Sequence, residues 1–194
     1  MAKYVTFFVV AVYLGCPIGR AASAASPGDG PRADSSNAQV ASWEDSAGRE
    51  WMKADQGFGA MLVFSNKPQQ FLDDWNKPTA TVEIRISDSA TRGNPCVAFI
   101  VFTGCGADKQ GLADVVADIS MFTPDGRVLG EKKGVDICQK RPAPADKQLQ
   151  LGAGNLGMII QPSDPAGTYE IHAKVSDRVK GAVVELKKTF SVHK

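Results

Sequence analysis

Three groups of residues in this chain of 194 could do chemistry, and each needs a particular setting. Gly152-Ala153-Gly154-Asn155-Leu156-Gly157 spells G-x-G-x-x-G. That pattern holds a pyrophosphate where a strand turns into a long helix. Leu149 to Leu151 offers a strand, but Pro162 follows within five residues and leaves no room for the helix. The glycines are therefore expected to mark turns or a bulge. The second group is the thiols and imidazoles: Cys16, Cys96, Cys105, Cys138, His172 and His193. No H-E-x-x-H or C-x-x-C is present, and without G-x-S-x-G an α/β-type serine hydrolase has no nucleophile elbow. A Cys105–His172 dyad needs distant stretches to converge. The third group, Asp114 and Asp118, shares one strand face, but two carboxylates make a poor calcium site. No catalytic, cofactor-binding or metal-ligating residue is assigned, no cofactor is expected, and the chain is expected not to be an enzyme.

The element that must position everything else is Asn94 to Cys105. It is short, apolar, rich in β-branched and aromatic residues, and bounded by turn-formers, which describes a central β-strand. Cys96, Ala98, Ile100 and Phe102 face one way; Val97, Phe99 and Val101 face the other. A strand apolar on both faces needs cover on both.

The ends indicate compartment. Lys3 is followed by an apolar run from Tyr4 to Leu14 and then by small residues, including Ala22-Ser23-Ala24. This is the outline of a secretory signal peptide over residues 1–24, and the run is too short to span a bilayer. Leu14-Gly15-Cys16 resembles the end of a bacterial lipobox, with Tyr13 where that pattern prefers Leu. A membrane contact is expected only if Cys16 is lipidated. Residues 25–47 are rich in Ala, Ser, Gly, Pro and Asp without apolar periodicity, which reads as a flexible linker. The net charge is +1 and the basic residues are spread out, so nucleic acid is not an expected partner.

Trp43 to Trp75 holds all three tryptophans, Trp43, Trp51 and Trp75. Gly59 to Phe64 suggests a strand. Asn66-Lys67-Pro68-Gln69 suggests a helix start, with Asn66 as N-cap and Gln69 in a capping box. Phe71, Leu72 and Trp75 would share one helical face. Residues 48–79 are expected as a small appendage packed on an outer sheet face; the other reading is an aromatic ligand platform.

From Ala80 the pattern is all-β. Val82, Ile84 and Ile86 alternate with charges as a half-buried strand, Ala113 to Phe122 is a strand with Val115, Ala117, Ile119 and Met121 on one face, and Tyr169 to Val175 alternates cleanly. Arg127 to Glu131 reads as a short strand, Gly134 to Asp146 as a polar, proline-containing stretch, and Ala182 to Val192 as the last strand. About seven short strands with turns every ten or so residues indicate a β-sandwich. Pro165-Ala166-Gly167-Thr168-Tyr169, the alternation after it and the Thr123-Pro124-Asp125-Gly126 hairpin resemble bacterial immunoglobulin-like or fibronectin type III-like domains. The expected fold is thus all-β, a single immunoglobulin-like sandwich over 80–194 with the N-terminal strand/helix appendage. The resemblance implies that Tyr169 puts its ring in the core and its hydroxyl on the backbone. Ile171 stands where antibody domains place a cysteine, so their inter-sheet disulfide is not expected. On this plan Cys105 and Cys138 emerge at one end and are the candidates for a disulfide, while Cys96 is a buried thiol; connectivity stays open.

The expected function is a non-catalytic exported module of the bacterial cell envelope, periplasmic or extracellular, binding an envelope protein. Alternatives are a carbohydrate-binding module that uses the tryptophans on a glycan, and an uncharacterised hydrolase. Candidate binding residues are Trp43, Trp51 and Trp75.

Overall fold

A computed structural model describes residues 49–77, 84–145 and 148–193. The expected signal peptide and linker, and Trp43, lie outside them. The strands are β1 (Met52–Asp55), β2 (Phe58–Ser65), β3 (Ser89–Ala90), β4 (Pro95–Thr103), β5 (Leu112–Phe122), β6 (Val128–Pro142), β7 (Gln150–Ile159), β8 (Gly167–Asp177) and β9 (Ala182–Val192); α1 (Pro68–Trp75) follows β2. They form two packed sheets, β1-β2-β4-β7 and β3-β9-β8-β5-β6, an all-β sandwich.

The two-faced pattern of β4 decides the layering. Cys96, Ala98, Ile100 and Phe102 enter the core between the sheets. Val97, Phe99 and Val101 enter a second apolar layer on the outside of the first sheet. Opposite β4, Ile119, Met121, Tyr169, Ile171, Val175, Leu186 and Phe190 supply the inner face of the second sheet. Phe64 stacks on Phe190 across the gap, with ring centroids 4.1 Å apart. Lys188 also occupies a core-facing phase of β9; its long stem carries the ammonium out to Asp88 at the rim.

Four local expectations change. The stretch 48–79 is not an appendage beside a finished sandwich: β2 pairs in register with β4, Gly59 with Thr103 through Ser65 with Val97, and Phe58, Leu62 and Phe64 are fully buried. The helix is capped by Lys67 without a side-chain bond. Asn66 instead donates to Ser89 O at 2.9 Å and accepts from Ser87 Oγ at 3.0 Å, tying the helix start to β3. Ile84 and Ile86 lie in no strand but pack on the outer layer. β6 runs on to Pro142. Its register against β5 shifts four times, with Gly134 at φ 61° and Lys140 at φ 52°. Bulges break the period-two pattern by which a strand is recognised.

The glycine motif falls inside β7. Pairing with β4 runs Phe99 to Asn155 and Val101 to Leu151, so a bulge lies opposite Ile100. A Cβ on Gly154 would collide with Val135 Cγ1 and lie 2.7 Å from the Asp136 carbonyl. The glycines let β6 close on β7 at the sandwich edge, which is structural work and not phosphate binding.

Candidate functional site

Trp51 and Trp75 are brought to the same place, the outside of the sheet that contains β4. Trp51 directly precedes β1, and its carbonyl accepts from the Leu62 N–H at 2.8 Å. Trp75 ends α1. Phe71, one helical turn earlier, stacks on Phe99 with centroids 4.7 Å apart and meets Trp75 at 6.1 Å. Beneath them Val63, Phe99 and Val101 are almost wholly buried. Above them Trp51, Leu72, Trp75, Ile84, Ile86, Leu149 and Leu151 are only half-buried. The layer therefore covers β4 and still presents apolar side chains to solvent. Trp43 lies outside the described residues.

The thiols do not form the expected bridge. No disulfide joins Cys96, Cys105 and Cys138. Cys105 and Cys138 both belong to the inter-sheet core. They influence each other: burial first, then the neighbouring Cys138 and Asp177, push the Cys105 thiol up to about 11. Both are buried as thiols, Cys138 within β6 opposite Val115 and not in a loop. Cys96 sits at the other end of β4, where burial pushes its thiol up to about 12. Thiols held that high stay protonated at neutral pH and are poor nucleophiles.

The imidazole does not meet them. His172 lies on the solvent face of β8, paired in register with Ser120 and Lys187. Its Nε2 is 3.0 Å from Glu170 Oε2, and Lys187 Nζ is 2.9 Å from the other Glu170 oxygen. Those two cationic or polar partners hold the Glu170 carboxyl below its ordinary value, Lys187 first. Asp114 accepts from Gln139 Nε2 at 3.1 Å, and Asp118 accepts from the Gly134 N–H at 2.7 Å. Each is thus engaged in bracing β5 to β6. Among the described residues no three metal-ligating side chains cluster.

The residue pair that sequence reasoning missed is Asp177 and Lys180, in the β8–β9 connection. Asp177 is 1% exposed. It accepts from the N–H groups of Gly106, Val179 and Lys180 at 2.6, 3.0 and 3.1 Å. Lys180 Nζ donates to Gly104 O at 2.7 Å and Gln56 O at 3.4 Å. The available signal was an aspartate at an inward phase of the strictly alternating β8, where a charge must find partners.

No protein-family model matches the chain, and no curated protein matches it. Among solved structures the chain is similar to the C-terminal domain of Wzt, at 13% identity and TM-score 0.41, covering 74% of this chain and 78% of that one. A family 123 glycoside hydrolase from Clostridium perfringens is 9% identical with TM-score 0.37, covering 70% of this chain and 27% of that one. A Niemann-Pick type C2 protein from Japanese carpenter ant is 14% identical with TM-score 0.36, covering 68% and 89%. These are coarse likenesses of chain trace.

Proposed function

We propose that this chain is a non-catalytic binding module, exported to the bacterial cell envelope, that docks a protein partner on the outer face of the β4 sheet around Trp51 and Trp75. The observation that carries this is the half-buried apolar layer there. Large aromatic anchors over a rigid, fully buried floor are the usual make-up of a protein-binding hot spot, and contiguous exposed apolar surface usually marks an interaction site. Export is supported by the apolar run Tyr4 to Leu14 and by Ala22-Ser23-Ala24. An immunoglobulin-like plan is part of the proposal, supported by Tyr169: its ring is fully buried and its hydroxyl donates to Pro165 O at 2.8 Å.

The test compares the exported protein with a Trp51→Ser/Trp75→Ser double variant. Envelope extract is passed over each, after circular dichroism has shown both to be folded. A protein retained by the parent and lost from the variant supports the proposal. The same proteins retained by both would sink it. Pelleting with insoluble polysaccharide, abolished in the variant, would replace it with the carbohydrate-binding alternative.

A further inference from the structure

At one end of the sandwich two side chains of one connection, Asp177 and Lys180, bond to the backbone of two others. Three connections meet there: β1–β2 at Gln56-Gly57, β4–β5 at Gly104 to Gly106, and β8–β9 at Arg178 to Gly181. Asp177 reaches from the third to the second through Gly106; Lys180 reaches from the third to both others through Gly104 and Gln56. The fit is close. A Cβ on Gly104, at φ 61°, would run into the Gly57 carbonyl, and one on Gly106 would lie 2.9 Å from the side chains of Val179 and Lys180. Gln56 holds φ 50°, a left-handed conformation that a non-glycine residue keeps only when its surroundings impose it. Cys105 lies between the two anchored glycines and is 8% exposed.

We infer that Asp177 and Lys180 form a latch, whose release opens this end of the molecule as a unit while the two sheets stay paired. The segment 104–111 is not strand, so nothing like the β4 ladder holds Cys105 inward. Its backbone is held by charge-assisted bonds to the glycine on either side, which are stronger than neutral ones but few, and its side chain by core packing. The far end is pinned separately, by Tyr169 on Pro165 and by the Thr123–Arg127 turn. Local openings of this kind expose groups that the folded core keeps closed. The latch is distinct from the aromatic layer and does not depend on it.

Iodoacetamide labelling of the native chain, followed cysteine by cysteine by peptide mass spectrometry, tests the inference. Alkylation by the thiolate forms an S–C bond and expels iodide, the thiol proton having passed to buffer, so the rate reports access together with thiolate fraction. Asp177 pushes the Cys105 thiol up and Lys180 pulls it down, so loss of the Lys180 charge alone would slow labelling, and acceleration in Lys180→Met reports access. Lys180→Met removes the ammonium and keeps a stem against Gly106. Asp177→Asn removes the carboxylate charge facing the Gly106 N–H. Cys105 is expected to label at least about tenfold faster in each variant, with Cys96 in the β4 ladder unchanged. Should Asp177→Asn fail to fold, Lys180→Met decides. Acceleration of Cys105 and Cys96 together would mean global loosening and would overturn the latch. An unchanged Cys105 rate in Lys180→Met would overturn it equally.

Discussion

Alanine at Gly154 separates the structural account of the glycine motif from every other use of it. The added methyl would meet Val135 Cγ1 head-on and sit 2.7 Å from the Asp136 carbonyl oxygen. Val135 can turn away only by leaving its rotamer, at about 0.5–1.5 kcal/mol. The carbonyl is backbone and moves only if β6 lifts from β7. Overpacking of this kind costs about 1–3 kcal/mol, and the backbone contact argues for the upper end. Replacing a strand glycine returns about 0.5–1 kcal/mol of unfolded-chain entropy. The net is a loss of about 2 kcal/mol, or a Tm lower by about 4–8 °C for a domain of this size. At Gly152 the nearest atoms, Ile100 O and Ile137 Cγ2, would each be 3.0 Å away. A few tenths of an ångström of give suffices there, and the two terms nearly cancel. Urea and thermal unfolding of both variants, followed by near-ultraviolet circular dichroism, gives the comparison. An unchanged m value would confirm that stability alone has moved. Equal stability of Gly154→Ala and the parent would refute the close-approach argument.

Three further outcomes are expected. Tyr169→Phe loses the hydroxyl donated to Pro165 O and should cost about 1 kcal/mol in urea unfolding with the fold intact; no change would remove the corner bond from the account. Phe71→Ala strips the ring stacked on Phe99 and should cost about 3 kcal/mol; a loss under about 1 kcal/mol would mean that α1 is not the floor's cover. Thr123 and Arg127 hold the Asp125 carboxyl at about 2, below its ordinary 3.8. A depressed folded value means stability that is present above the ordinary value and lost as pH falls through the folded one. The stability gap between the parent and Asp125→Asn should therefore hold steady at neutral pH and close between about pH 4 and pH 2; a flat gap across that window would contradict the assignment.

What was legible in the sequence was whatever one strand states alone. The division of β4 into Cys96, Ala98, Ile100 and Phe102 against Val97, Phe99 and Val101 follows from period two and reappears as two separate apolar layers. Tyr169 was legible because a turn and a strict alternation fix its place. What was not legible depends on partners distant in sequence. β6 hides because its bulges scramble the period. Asn66 has the composition of an N-cap, yet Ser87 and Ser89 compete for its side chain and win. The Cys105–Cys138 staple was expected of two loops, but Cys138 lies inside β6, which the broken period concealed. The inward phase of β8 marks Asp177, but what it and Lys180 bind was not legible, because those partners lie on Gln56, Gly104 and Gly106.

The boundary expected near Ala80 has the same origin and reaches furthest. Composition changes there, from aromatic to alternating, which reads as the start of a new unit. The hydrogen bonds cross that line in both directions. Phe58, Leu62 and Phe64 of β2 fill the core that β8 and β9 close. Outside the second sheet, the exposed edge of β9 is met by the same N-terminal stretch: the Val183 N–H donates to Asp55 Oδ2 at 3.1 Å and the Lys187 N–H to Glu50 O at 2.8 Å. Farther along, the Ser191 N–H donates to Asp88 O at 2.9 Å. Val183 and Lys187 are thus satisfied from outside the ladder and Ser191 by the β3 pairing, which blunts this edge against another chain. The segment that completes one sheet also seals the other, and its aromatic residues, turned outward over β4, are held rigid by both tasks.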